Sequence, residues 1–98
     1  MAETQNKIRR FALSSTDWTA IVAPGACNHL MIINCDPQNA ICRSSDPTNP
    51  EAWCDIAAGG GYSLFAPVEG PRRFQAGDTV TYLKSYTGTP TIAVEFIL

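Results

Sequence analysis

The chain has 98 residues, the size of one domain built on one core. Seven Lys and Arg against nine Asp and Glu leave a formal charge of −2, so no global basic field exists to hold a phosphate backbone, and nucleic-acid binding is not expected. Charged residues make up 16% of the chain against about a quarter in ordinary domains, and a small, charge-poor surface points to cover by a partner.

The first residues, Met1 to Asn6, are polar and without apolar periodicity, and are expected to form an arm ahead of a single domain over residues 7–98. Met1 to Lys7 lacks the apolar centre of a secretory signal. The longest strongly apolar run, Leu30 to Ile33, is far shorter than the roughly 20 residues that cross a bilayer, so a soluble protein made in the cytosol, with no membrane partner, is the expectation.

From Lys7 onward apolar residues recur mostly with a period of two, the sign of strands with one buried face. Lys7 to Ser14 places Phe11 and Leu13 on one face; Trp18 to Val22 does the same with Trp18, Ala20 and Val22 before Pro24-Gly25 breaks the run. Asn28 to Asn34 has apolar residues on both faces, as strands covered on two sides do, and Ala40 to Ser44 is expected to return beside it as a hairpin. Two prolines in Ser45 to Pro50 make that stretch a surface loop, and Glu51 to Ala57 fits either a short helical turn or a strand. After Gly59-Gly60-Gly61, Tyr62 to Ala66 resumes as a strand, Pro67 to Pro71 turns, and Arg72 to Gln75 leads to a tight turn at Ala76-Gly77-Asp78. Thr79 to Ser85 and Thr91 to Leu98 are expected to pair as a hairpin across a turn in which Gly88 takes positive φ, with Ile92, Val94, Phe96 and Leu98 facing the core. About eight short strands at this spacing predict an all-β fold, a compact β-sandwich or jelly-roll-like barrel.

Catalytic chemistry is hard to assemble from these residues, and no enzymatic activity or cofactor is expected. The one histidine, His29, sits beside an apolar run without a Ser, Cys or carboxylate pattern, and reads as structural. Asp46, Asp55 and Asp78 lie in or beside loops, where carboxylates commonly bond their own backbone. The triple glycine lacks the Lys-Ser or Lys-Thr of a phosphate loop. The spacing of Cys27, Cys35, Cys42 and Cys54 matches no common zinc pattern. If the hairpin forms, Cys35 and Cys42 flank its loop with Cys27 and Cys54 further out, so a nested pairing is open on oxidation; reduced thiols at synthesis are the expectation.

Binding has better candidates. The doublets Arg9-Arg10 and Arg72-Arg73 stand next to Phe11 and Phe74, a combination that suits protein interfaces, with a solvated strand edge as the alternative. Trp53 fits either a contact or carbohydrate anchor or a cap over one end of the core. Tyr86 stands at a turn, and Trp53, Tyr62 and Tyr86 are the candidate stacking residues of a sugar site.

Asp17-Trp18, Leu30 to Asn34, Ser44-Ser45-Asp46-Pro47, Ile56-Ala57-Ala58-Gly59 and Phe74 to Ser85 together resemble the small virion proteins of tailed bacteriophages, over nearly the whole chain. The shared features are structural: a strand ending in Asn, a pattern entering a Gly turn, and a Gly-Asp turn before the last strands. The resemblance implies a β-sandwich or jelly roll that decorates or cements a capsid, or belongs to a head fibre or tail attachment. It implies virion localisation, the major capsid protein or another virion protein as partner, and a homo-oligomer, a trimer above all because capsid three-folds invite one. The alternative is a receptor- or carbohydrate-binding module of a phage fibre or tail attachment.

Overall fold

Successive side chains of a strand point to opposite faces, so every apolar alternation in this chain needs a second layer to close on. The computed structural model describes residues 7–65 and 74–97. Over these, β1 (Lys7–Ala12), β2 (Thr19–Val22), β3 (His29–Asn34), β4 (Ile41–Ser44), β5 (Trp53–Ile56), β6 (Gly61–Phe65), β7 (Thr79–Ser85) and β8 (Thr91–Ile97) form two four-stranded sheets. The first has the order β1-β8-β3-β6 and the second β2-β7-β4-β5, with every pairing antiparallel.

The order has a simple origin. Strands pair first to last along one long ribbon, β1 with β8, β2 with β7, β3 with β6 and β4 with β5, and successive pairs alternate between the sheets. Rolling the ribbon closes it through β3 with β8 and β4 with β7. This is the strand order of an eight-stranded jelly roll, one form of the expected all-β fold. Leu13, Ile21, Leu30, Ile32, Ile41, Ile56, Leu83, Ile92, Val94 and Phe96 fill the space between the layers.

Within strands the alternation holds well. Ile92, Val94 and Phe96 face inward and are excluded from water; Leu13 is buried, and Phe11 packs against the same core. Gly88 has φ +69°. Glu51 to Ala57 contains both expected forms, a 3-10 turn at Pro50–Ala52 and then β5. In β2 the face is reversed: Ile21 is buried while Ala20 and Val22 are exposed, and the register shifts between Ile21 and Val22. β3 is central in its sheet, but only Leu30, Ile32 and Asn34 are covered; Met31 is half-buried and Ile33 exposed on the opposite face.

Neither expected hairpin exists. β3 and β4 belong to different sheets, and the connection between them crosses from one layer to the other. Its polar residues hold it: the Asp36 carboxylate accepts from the Gln38 and Asn39 amides at 2.8 and 3.0 Å. β7 and β8 likewise occupy opposite layers, each with partners on both edges, so neither has an edge left for the other. Tyr86 to Pro90 makes that crossing, with Ser85 Oγ donating to the Gly88 carbonyl at 3.0 Å and the Leu13 amide donating to Pro90 at 2.9 Å. The Met1 to Asn6 arm, the Pro67 to Pro71 turn, Ala66, Arg72, Arg73 and Leu98 lie outside the described residues.

Two polar side chains join the layers. Asn34, fully buried at the end of β3, donates from Nδ2 to the carbonyls of Asn39, Ile56 and Ala57 at 2.9, 3.2 and 3.1 Å and accepts from the Asp36 amide at 3.0 Å. It thus ties the first sheet to the end of β5 in the second. Arg43, buried in β4, donates from Nε to Thr81 Oγ1 at 3.1 Å and from Nη1 to Tyr62 Oη at 3.3 Å. Its guanidinium lies 4.6 Å from the centre of the Tyr62 ring, a cation–π contact from the second sheet to the first.

Phe96→Ala removes a large buried ring and leaves a cavity, and is expected to cost about 3–5 kcal/mol, a large share of the roughly 5–15 kcal/mol that holds a domain. Asn34→Ala strips buried carbonyls of a donor and is expected to cost about 1–3 kcal/mol. Chemical denaturation checks both: a loss below about 0.5 kcal/mol for either variant would deny that residue its place at the junction of the layers.

Candidate functional site

In a two-layer fold the inner faces are consumed by the core, which leaves the outer faces and loops for recognition. On the outer face of the second sheet, register aligns Lys84 of β7, Cys42 of β4 and Asp55 of β5 in one cross-strand row. Trp18 stands just before β2 and Trp53 opens β5. The placement of Trp53 is local: Asn49 caps the 3-10 turn by accepting from the Glu51 amide at 3.1 Å, Pro50 begins it, and the chain extends at Trp53. Ser15 is presented by a polar turn in which Ser14 Oγ accepts from the Thr16 and Asp17 amides.

The two indoles meet edge to face, with centroids 5.2 Å apart and planes at 61°. Lys84 Nζ lies 5.6 Å from the centre of the Trp18 ring. Beside them is a cleft of about 220 Å³ walled by Trp18, Trp53, Tyr86 and Lys84, with Cys42, Ser15 and Ser85 completing it. The Tyr86 hydroxyl donates a hydrogen bond to Asp55 Oδ1. That bond to a carboxylate is the main reason the Tyr86 phenol ionises at higher pH than an ordinary tyrosine, with desolvation adding to it. Burial pushes the Cys42 thiol up, partly offset by its side-chain contact with Tyr86.

The outer face of the first sheet differs in character. Register places Ile8, Glu95, Met31 and Ser63 in one row, Arg10, Ala93, Ile33 and Gly61 in the next, and Ile97, His29 and Phe65 in a third. Ile8, Ile33 and Phe65 are exposed at 60, 40 and 68%, a surface more apolar than a solvated sheet face requires. His29 stacks on Phe65 with centroids 4.6 Å apart and planes at 21°.

The residues singled out from sequence divide accordingly. Trp53 and Tyr86 come together in the cleft. Tyr62 does not join them, because its ring packs against the core beneath Arg43. Arg9 and Arg10, as strand neighbours, point to opposite faces, and Phe11 packs against the core instead of standing free beside them. Asp36, Asp46 and Asp78 bond turn amides, and Asp36 and Asp46 are held below the usual carboxylate range mainly by those turn contacts and by the Thr48 hydroxyl. Asp55, by contrast, lies in a strand and holds Tyr86.

None of the four cysteines is in a disulfide. Without the β3–β4 hairpin nothing draws Cys35 and Cys42 together: Cys35 is exposed, Cys42 lies on the outer face of the second sheet, Cys54 faces Arg43 within, and Cys27 is in the core. Trp18 and Lys84 were missed as site residues, since Trp18 reads as part of an inward stripe with Ala20 and Val22. The signal was present in the competing set Thr19, Ile21 and Ala23, which is the inward one. Comparison with protein families, curated proteins and solved structures gives no match for this chain.

The raised Tyr86 ionisation sets a pH dependence. The protonated phenol is the form bonded to Asp55, so its contribution is complete below the ordinary tyrosine range near pH 10 and is lost as pH climbs from there through the higher folded-state value. In a near-ultraviolet tyrosinate titration of the folded protein, the signal removed by Tyr86→Phe should appear only above the ordinary tyrosine range near pH 10. A Tyr86 signal that appears within or below that range would show that the Asp55 bond is absent in solution.

Proposed function

We propose that this chain is a structural virion protein, a decoration or cement module that docks on the major capsid protein and on copies of itself. The observation that carries the proposal is the apolar outer face of the first sheet, where Ile8, Ile33 and Phe65 are exposed beside half-buried Met31 and Ile97. Large apolar side chains exposed together on one sheet face mark interaction sites in monomeric folds. Arg10 and Glu95 on the same face supply charges of both signs, which suit the polar part of an interface. Jelly rolls serve as capsid domains, though that is an analogy of fold alone. Closed symmetry is the rule for self-association, and a trimer matches a capsid three-fold.

Sedimentation of the purified protein at micromolar concentration is the direct measurement, with a trimer as the expected species. Phe65→Asp and Ile33→Asp place carboxylates on the exposed face without touching the core, and each should return the protein to monomer with its fold intact. A wild-type protein that sediments only at 10.6 kDa would remove self-association from the proposal. Cryo-electron microscopy of particles then tests the capsid contact, which should bury the first sheet and not the second.

A further inference from the structure

We propose that the cleft on the outer face of the second sheet is a carbohydrate subsite that seats one neutral pyranose ring against Trp53. This site uses the sheet opposite to the one assigned to assembly, and the two stand or fall separately.

The aromatic arrangement is the first reason. Tryptophan is a residue that folds bury on average, yet Trp53 remains 41% exposed and Tyr86 59% exposed on the rim of a concavity. Trp53 is also held in place, since the edge-to-face contact with Trp18 fixes the pair before any ligand arrives. A rigid apolar wall loses little conformational entropy on binding, and that favours even a small ligand. A pyranose has one face of C–H groups that packs against an indole and a periphery of hydroxyls that needs hydrogen-bonding partners.

The periphery is provided. Lys84 brings an ammonium with three donors, Ser15 brings a hydroxyl, and Tyr86 is turned so that its proton goes to Asp55 and its oxygen is left to accept. The space, about 220 Å³, fits a single six-membered ring with its substituents and is below the usual range of about 300–1,000 Å³ for larger ligands.

Charge narrows the class. Lys84, the one charged side chain of the lining, and Asp55 just beyond the lining stand in one cross-strand row on either side of Cys42, so the Lys84 charge is offset close by and the site favours no net charge on the ligand. A quaternary ammonium, the other ligand that aromatic clusters hold, is disfavoured because Lys84 already lies against the Trp18 face and because the indoles close edge to face, leaving no cage between them.

The chain has two tryptophans, and both wall this cleft, so intrinsic tryptophan fluorescence reports on it alone. The full chain is titrated with glucose, galactose, mannose and N-acetylglucosamine, each as free sugar and as methyl glycoside, with choline chloride and sodium acetate as charged probes. At least one pyranose should change the fluorescence saturably, with a Kd on the order of 1 mM as expected of a single ring. Preference for the glycoside would assign the end of a glycan chain, and equal binding a free sugar; both support the subsite.

Ligand-observed NMR then compares variants. Trp53→Ala should weaken binding at least tenfold, about 1.4 kcal/mol by the standard conversion, and Lys84→Gln severalfold. Phe65→Asp, on the other sheet, should leave it unchanged, and amide spectra confirm that each variant is folded. The inference is overturned if no pyranose saturates by roughly 100 mM, if choline or acetate binds more tightly than every sugar, or if folded Trp53→Ala binds as well as the wild type.

Discussion

Burial of one face of β8 is the contact on which the first sheet rests. β8 lies between β1 and β3, and among the described residues β1 has no other strand beside it. Ile92, Val94 and Phe96 are almost wholly removed from water. At about 1.5–3 kcal/mol for each such side chain, an upper estimate because unfolded chains already bury some surface, the three together rival the net stability of a small domain. The partners come from opposite ends of the chain, so this burial becomes available only after nearly all the loop-closure entropy has been spent. Such long-range pairing is the condition under which folding is slow.

Apolar burial has no direction, and a roll of alternating strands could slip without polar groups to fix it. Asn34 and Arg43 supply that direction. Asn34 reads three carbonyls at once, two of them at the end of β5, through an amide nitrogen that carries two protons. Arg43 reaches across the layers to Tyr62, while Thr81 accepts from Arg43 and passes its own proton to the Ser44 carbonyl at 3.0 Å. A buried guanidinium gains little net stability over an apolar side chain of similar volume. Its consequence is geometric: β4, β6 and β7 meet in one register.

What could be read from the sequence was the local part. Alternation gave the inward face of β8 through Ile92, Val94 and Phe96, and turn chemistry gave the positive φ of Gly88, because both are set within a few residues. Pairing was not legible in the same way. A period of two says which face of β7 or β8 is buried and nothing about which strand lies beside it, and the nearest strand in sequence is the wrong partner here. The cleft was less legible still, since Trp18, Trp53 and Tyr86 come from three separate parts of the chain and meet only after the ribbon rolls. Trp18 also sits on the outward phase of β2, where its size argues for the core and the register overrules that argument.

The outer faces are where the two sheets part company, although they obey the same rule inside. In the first sheet the outward phase of β3 carries His29, Met31 and Ile33 beside Ile97 and Glu95 of β8, with Ile8 beyond Glu95, so large apolar side chains stand exposed on an extended face with a few polar ones between them. In the second sheet the outward phase carries Lys84, Cys42 and Asp55, and the large aromatics come from strand ends and turns that rise around them, giving a concavity. A broad apolar sheet face meets another extended surface well and a small polar molecule poorly; a narrow cleft with donors, an acceptor and a fixed indole does the reverse. Because the layers are packed inner face to inner face, these surfaces point away from each other. A copy docked on the first sheet, as proposed, would therefore leave the cleft open, and a ligand in the cleft would leave that face free.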